Sequence, residues 1–247
     1  MQPIELIRPS IFKKFTEVAA AQSSRIGGFS QGAYAGMNLG KSTEDNPVTV
    51  QANLAQFKDY LGFKEIALSH QVHGTEILIV ERPGIYQGYD ALITQKRELL
   101  IGVSIADCCP ILLYDPVKKV VAAIHAGWKG TVGSLVSKTL SVMQSQFGVQ
   151  GKDCYAYIGT CISKDHFEVG PEVAAQFPSA FKHFESSRGK YMIDLKAANA
   201  QQCLAANIPQ AQIEYSPYCT YESADRFYSH RKSGGITGRM LAVIGLH

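Results

Sequence analysis

IADCCPILLYDPVKKVVAAIHAGWKG, residues 105–130, is the stretch on which the fold turns. Two apolar, β-rich runs, PILLYD at 110–115 and VVAAIHA at 120–126, flank Asp115-Pro116-Val117-Lys118-Lys119, whose Asp-Pro start favours a tight turn. The pattern predicts a hairpin. Antiparallel pairing about that turn sets residues near 110 opposite residues near 125, so Cys108 and His125 come close although they are 17 positions apart. Alternation along an extended strand sends Cys108 and Cys109 to opposite faces, so only one of the two thiols joins His125. Pro110 disturbs the parity that would choose between them. The stretch ends in AGWKG, read as a strand-to-helix turn, because Val132, Leu135, Val136, Leu140, Met143 and Phe147 then follow an amphipathic helical pattern up to Gly148. Free amides at such a helix start favour an anion, and Lys129 can add charge there. Trp128 either stacks on a planar base or covers the core edge.

Composition bounds what surrounds this stretch. With 247 residues, 46% of them hydrophobic, the chain can bury a sizeable core. No apolar run reaches the ~18–20 residues of a membrane span, and MQPIELIRPSIFKKF at 1–15 lacks the pattern of a signal peptide. A cytoplasmic protein with no membrane partner is expected. The net charge is +3, with Lys and Arg in runs no longer than a pair, which argues against nucleic acid as a partner. The six Cys, without an export signal, read as thiols rather than as a disulfide framework.

Upstream, residues 15–23 read as a strand running into SSRIGGFSQGAYAGMNLG (23–40), a Gly-rich loop in which Arg25 can receive an anion. Asn46 and Pro47 cap a helix with Val50, Leu54, Phe57 and Leu61 on one face and Gly62 as its stop. Strands at 66–69 and 76–81 bracket HQVHG, which puts His70 at a strand end and His73 in the following turn. Further strands are expected at 89–94 and 99–106.

Downstream, a strand at 154–158 leads into GTCISKDHFEVG, where Glu168 is a candidate acid or base, and a short helix starts at Pro171. Residues 178–188 read as irregular, Asp194 as the cap of a helix to about 207, and 213–218 as a strand. A last Gly-rich segment carries His230, Arg231 and Arg239 before a final strand at 240–246. The two Gly/Arg loops are expected to form two sides of one pocket.

Three arrangements suit His73, Cys108 and His125. If all three converge, two imidazoles and a thiolate make a zinc site with an open fourth position, the catalytic pattern. If only Cys108 and His125 meet, they form a thiolate–imidazolium pair suited to acyl transfer or deamidation. If neither holds, they are buried polar residues of a binding protein.

HQVHG (70–74), ADC-x-P (106–110), HAGWKG (125–130), FEVG (167–170) and F-x-SHR followed by TGR (227–239), with SSRIGG-x-S and MNLG in the first loop, resemble the YfiH/LACC1 family of laccase-domain proteins, also called multicopper polyphenol oxidase-like and regarded as purine nucleoside phosphorylases. The matches span nearly the whole chain in the family's order. The resemblance implies a single α+β domain, residues 1–247, of mixed β-sheets packed face to face with helices outside, an α/β/β/α sandwich. It implies a zinc ion on His73, Cys108 and His125, which chooses Cys108 over Cys109. The implied reaction is phosphorolysis of adenosine, inosine, guanosine and 5′-methylthioadenosine, together with zinc-dependent adenosine deamination, so the partners are purine nucleosides and phosphate. Arg25, Asn38, Lys129, Glu168, His230 and Arg231 are the expected substrate-binding residues. The alternatives are a Cys–His hydrolase or amidase using Cys108 and His125, and a copper-dependent phenol oxidase, since affinity order alone loads copper onto a zinc site in vitro. Two departures stand out. Gly159-Thr160-Cys161-Ile162-Ser163-Lys164 replaces the family's Gly-Pro-x-Ile-Gly-Pro, which puts the shape of that loop in question, and Cys109 places a second thiol beside the ligand.

Overall fold

Alternation of apolar side chains along the predicted hairpin accounts for the layering of the molecule. The computed structural model describes residues 3–247. In it the strands Cys109–Asp115 and Val120–Ala126 pair antiparallel with Pro110 opposite His125, the expected register. Cys109, Ile111 and Leu113 face one apolar cluster, shared with Leu135, Val136, Leu140 and Met143 of the helix Leu135–Phe147 and with the helix Leu195–Ala205. Leu112 and Tyr114 face the other way, into a cluster with Leu99, Ile101, Val103, Ala242 and Ile244. A strand buried on both faces must lie between two other layers.

Those layers are two six-stranded mixed sheets and the helices outside them. The first sheet has the order Leu6–Ile7, Val18–Ser23, Met240–Leu246, Leu99–Ile105, Glu65–His70, Gly84–Gln87. The second runs Ile213–Tyr215, Tyr155–Ile158, Cys109–Asp115, Val120–Ala126, Ala91–Thr94, Ile77–Ile79. The helix Pro47–Leu61 covers the outer face of the first sheet through Leu54, Phe57 and Leu61. Its ends are those expected: the Asn46 side chain accepts from the Val48 N–H, and Gly62 takes a left-handed φ of 78°. The layering is α/β/β/α.

The structure corrects three expectations. Gly84–Gln87 adds a strand at the first sheet's edge, paired parallel to Glu65–His70. Lys182–Glu185, within the segment read as irregular, is a strand of a separate three-stranded sheet with Lys190–Ile193 and Glu168–Val169. The helix after Gly127 is two pieces, Trp128–Val132 and Leu135–Phe147, broken at Ser134 with φ 59°. The first is only five residues long, so AGWKG is a corner rather than the head of a long helix. No helix among the described residues is long and apolar enough to cross a membrane.

Candidate metal centre

Two chain crossings build the site. Strands Glu65–His70 and Leu99–Ile105 are parallel neighbours in the first sheet, so both end on the same side of the sandwich. Each is followed by a short passage into the second sheet, 71–76 leading to Ile77–Ile79 and 106–108 leading to Cys109–Asp115. His73 lies in one passage and Cys108 in the other, and the strand Val120–Ala126 brings His125 out at the same end. The donor atoms of His73, Cys108 and His125 all lie within 4.8 Å of one another. The two imidazole rings meet edge to face with centroids 4.8 Å apart.

Asp90, at the mouth of the strand Ala91–Thr94, organises this group. Its fully buried carboxylate accepts from the backbone N–H groups of Val72 (3.2 Å), His73 (3.0 Å) and Gly74 (2.7 Å), and it lies 2.8 Å from His125 Nδ1. Burial pushes its pKa up, but the bonds from His125 and from the turn outweigh this and hold it below the ordinary value. An ionised carboxylate only accepts, so Nδ1 of His125 carries the proton and Nε2 faces the cluster. The same bonds hold His73 at φ 58°, a left-handed conformation that an unsupported residue avoids.

The electrostatics favour a thiolate. Burial raises the Cys108 thiol, yet the imidazoles of His125 and His73 prevail and bring it down to about 6. His125 moves the other way: burial lowers it, and the charges on Cys108 and Asp90 bring it up to about 9. Space is left for an ion because Gly127 has no side chain. A Cβ there would sit 3.0 Å from Cys108 Sγ and 3.3 Å from His73 Cδ2. Two nitrogens, a sulfur that ionises readily, a carboxylate behind one imidazole and a cradle kept open by glycine together fit a metal ion.

Cys109 takes no part. It points into the helix-facing core, and the Cys161 thiol and burial together raise its pKa well above the ordinary value, so it stays protonated beside the cluster. Nor does the departure at Thr160 disorder its loop. Its N–H, which a proline would lack, donates to the buried Gln22 Oε1 at 2.8 Å, and Gln22 Nε2 donates back to Thr160 O at 3.1 Å.

Around the cluster lies a cavity of about 450 Å³, which His230, Arg231 and Arg239 of the last loop also line, along with Phe167 and Ile162. Neither arginine forms an ion pair among the described residues. Arg239 is half-buried and spends Nη1 on the carbonyls of Thr237 and Gly238, and Arg231 Nη1 reaches the Glu168 carbonyl. Neither guanidinium is tied to a carboxylate among the described residues, although the charges of Asp107 and Cys108 lie near Arg239. Asp107, at φ 86°, sets this wall: its carboxylate accepts from Thr220 Oγ1 (2.5 Å) and from the Arg231 N–H (2.7 Å).

Of the expected substrate residues, His230 and Arg231 line the cavity and four do not. The Arg25 guanidinium is taken by the carbonyls of Ala224 and Ala35, over the Tyr228 ring. Asn38 is buried and serves the loop, accepting from Gly40 N and Arg239 N. Lys129 lies over Trp128, itself packed at the core edge, and Glu168 offers the cavity wall only its backbone oxygen. Of the two Gly/Arg loops, only the last lines the cluster cavity, while Arg25 and Asn38 of the first brace the fold. Asp90 and Asp107 were missed as site residues; the one sequence signal for Asp90 is a carboxylate opening an otherwise apolar strand, YDALIT. A larger cleft of about 770 Å³, between the ends of the helices Leu135–Phe147 and Leu195–Ala205, holds Lys152 as its one charged side chain and none of the cluster.

The family model described as multi-copper polyphenol oxidoreductase laccase matches residues 19–247. The chain belongs to the YfiH/LACC1 family. A family relative from Deinococcus radiodurans named purine nucleoside phosphorylase is 40% identical, the match covering 93% of this chain and 89% of that one. A protein from an unknown prokaryotic organism named adenosine deaminase RL5 is 32% identical over 98% of both. Among solved structures, the YfiH protein of Bacillus licheniformis superposes with a TM-score of 0.93 at 27% identity, covering 99% of each chain.

Proposed function

We propose that the chain is a zinc-dependent purine nucleoside phosphorylase that also deaminates adenosine. One observation carries the reading: His73 joins Cys108 and His125 within 4.8 Å, in a cavity that Arg231 and Arg239 also line. The Cys108–His125 pair alone would suit a Cys–His hydrolase, but a dyad has no use for a third donor at that distance. Nitrogen and sulfur donors in this number favour zinc, and the cluster is the one such group among the described residues, which does not make a multicopper set. When bound, zinc supplies Lewis acidity to the cavity. The residues supply the rest. Asp90 orients His125, Arg231 and Arg239 draw phosphate into the cavity beside His230, and Phe167 shields one side from water. The names of the two relatives are those of the two activities proposed, with adenosine, inosine, guanosine and 5′-methylthioadenosine as substrates.

The test incubates metal-replete protein with inosine or adenosine, with and without phosphate, and follows base and ribose 1-phosphate. Phosphate-dependent release of both is expected, and its absence overturns the reading. His73→Ala, Cys108→Ala and His125→Ala are each expected to lose bound zinc by elemental analysis; full occupancy in all three refutes the site. Turnover that survives chelation but not thiol alkylation assigns the pair to hydrolase chemistry instead.

A further inference from the structure

Next to the cluster cavity lies a second one of about 280 Å³, floored by Leu39, Leu68 and Leu241 and flanked by Ile85. Ser42, Ser69, His70, Gln71 and Ser104 line both, so the two form one space with a polar waist. Their chemistries differ. The cluster side carries His230, Arg231, Arg239 and Asp107, whereas the second side adds the four aliphatic side chains with Lys41 and Gln87 at its polar margin. A nucleoside meeting phosphate divides in the same way: the anion belongs beside the guanidinium groups, the flat purine belongs on the leucines, and the ribose spans the waist.

His70 stands at that waist. Its Nδ1 lies 3.0 Å from Ser42 Oγ, and its Nε2 has no protein partner among the described residues. It comes from the same HQVHG turn as His73, yet it is no part of the cluster. Breaking the bond between C1′ and N9 leaves an electron pair on the purine, and a base protonated at N7 departs neutral rather than anionic. A positioned acid at N7 therefore accelerates the step.

Building on the phosphorylase reading, we propose that the second cavity holds the purine and that His70 is the general acid that protonates its N7. In the step a phosphate oxygen bonds to C1′, the C1′–N9 bond breaks with its pair passing to the purine, and the Nε2 proton of His70 moves to N7. The proton that phosphate releases on becoming the ester recharges the imidazole, so the turnover balances. Deamination needs the purine C6 beside the cluster instead, so the two activities place the nucleoside in opposite orientations.

The test compares wild-type protein and His70→Asn on inosine and on 7-methylinosine, whose N7 already bears a methyl group and a positive charge. With bound metal and melting temperature matching wild type, the variant is expected to lose about 100-fold or more in kcat on inosine, as removal of a general acid does. On 7-methylinosine it is expected to stay within about threefold, because that leaving group needs no acid. Ile85→Asp is expected to raise KM for inosine several-fold and leave KM for phosphate unchanged. Equal losses on both nucleosides, no loss on inosine, or a wild-type enzyme that cleaves inosine but not 7-methylinosine overturns the role of His70. An unchanged KM in Ile85→Asp overturns the purine subsite. Wild-type protein that cleaves neither nucleoside overturns the phosphorylase reading itself, a separate result.

Discussion

Asp90 touches two of the three cluster residues, and neither contact is visible from its place in the sequence. Three backbone N–H groups and one imidazole N–H converge on its carboxylate, so one side chain sets both the His73 turn and the tautomer of His125. Asp90→Asn preserves volume but exchanges one oxygen for an NH₂, which turns a donor toward groups that are themselves donors. The left-handed His73, a conformation costing about 1 kcal/mol or more, then loses its restraint. We expect metal affinity to fall about 10–100-fold, the usual consequence of losing the partner behind a ligating imidazole. Competition against a chromophoric chelator measures it, and an affinity equal to wild type would show that Asp90 only fills space. Arg25 teaches the converse at the same scale. An arginine in a Gly-rich loop reads as an anion receptor, but carbonyls of Ala224 and Ala35 satisfy it. Composition does not reveal which donors the backbone has already claimed.

At the scale of elements, the hairpin Cys109–Asp115/Val120–Ala126 and the corner that follows it hold most of the centre. Gly127 has φ −66° and ψ 178°, a conformation open to any residue, so its need for glycine is one of space alone. Gly127→Ala is expected to weaken metal binding about tenfold by crowding Cys108 and His73, while overpacking costs only ~1 kcal/mol of stability. Unchanged metal affinity at a lowered melting temperature would place the strain elsewhere. What could be read from the sequence here was local. The turn fixed the register of Pro110 with His125, and Asn46, Pro47 and Gly62 fixed a helix, because each depends on neighbours in the chain. The strands Gly84–Gln87 and Lys182–Glu185 escaped notice because short, largely exposed edge strands lack an apolar alternation. The arrival of His73 escaped spacing arguments for another reason. It depends on Glu65–His70 lying parallel to Leu99–Ile105, a pairing across more than thirty residues that nothing in the sequence reading anticipated, and only the family resemblance pointed to His73 as a ligand.

Across the whole molecule the sandwich divides its labour between its two ends. Strands of seven residues at about 3.3 Å per residue put the hairpin turn roughly 20 Å from the cluster. At that far end Glu17, just before the strand Val18–Ser23 of the first sheet, reaches the second sheet: its Oε1 accepts from Tyr114 OH at 2.7 Å and from Lys119 Nζ. This clamp joins the two sheets without touching the chemistry. The bond from Lys119, seconded by that from Tyr114, lowers the Glu17 carboxyl from 4.5 to about 2. A carboxyl depressed on folding contributes stability above its unfolded value, so the contribution is full above about pH 5 and disappears as pH falls through about 2. The Lys119 end is open to solvent, which holds the worth of the pair to about 1 kcal/mol. Glu17→Gln should therefore lower the melting temperature by about 2–4 °C at pH 7, with the gap to wild type closing steadily below pH 4. Bound metal and turnover should not change, because the clamp and the centre share no residue. A melting difference that persists at pH 2 would assign the loss to packing around Tyr114 rather than to charge, and a change in metal content would show that the two ends of the sandwich are coupled through the strands between them.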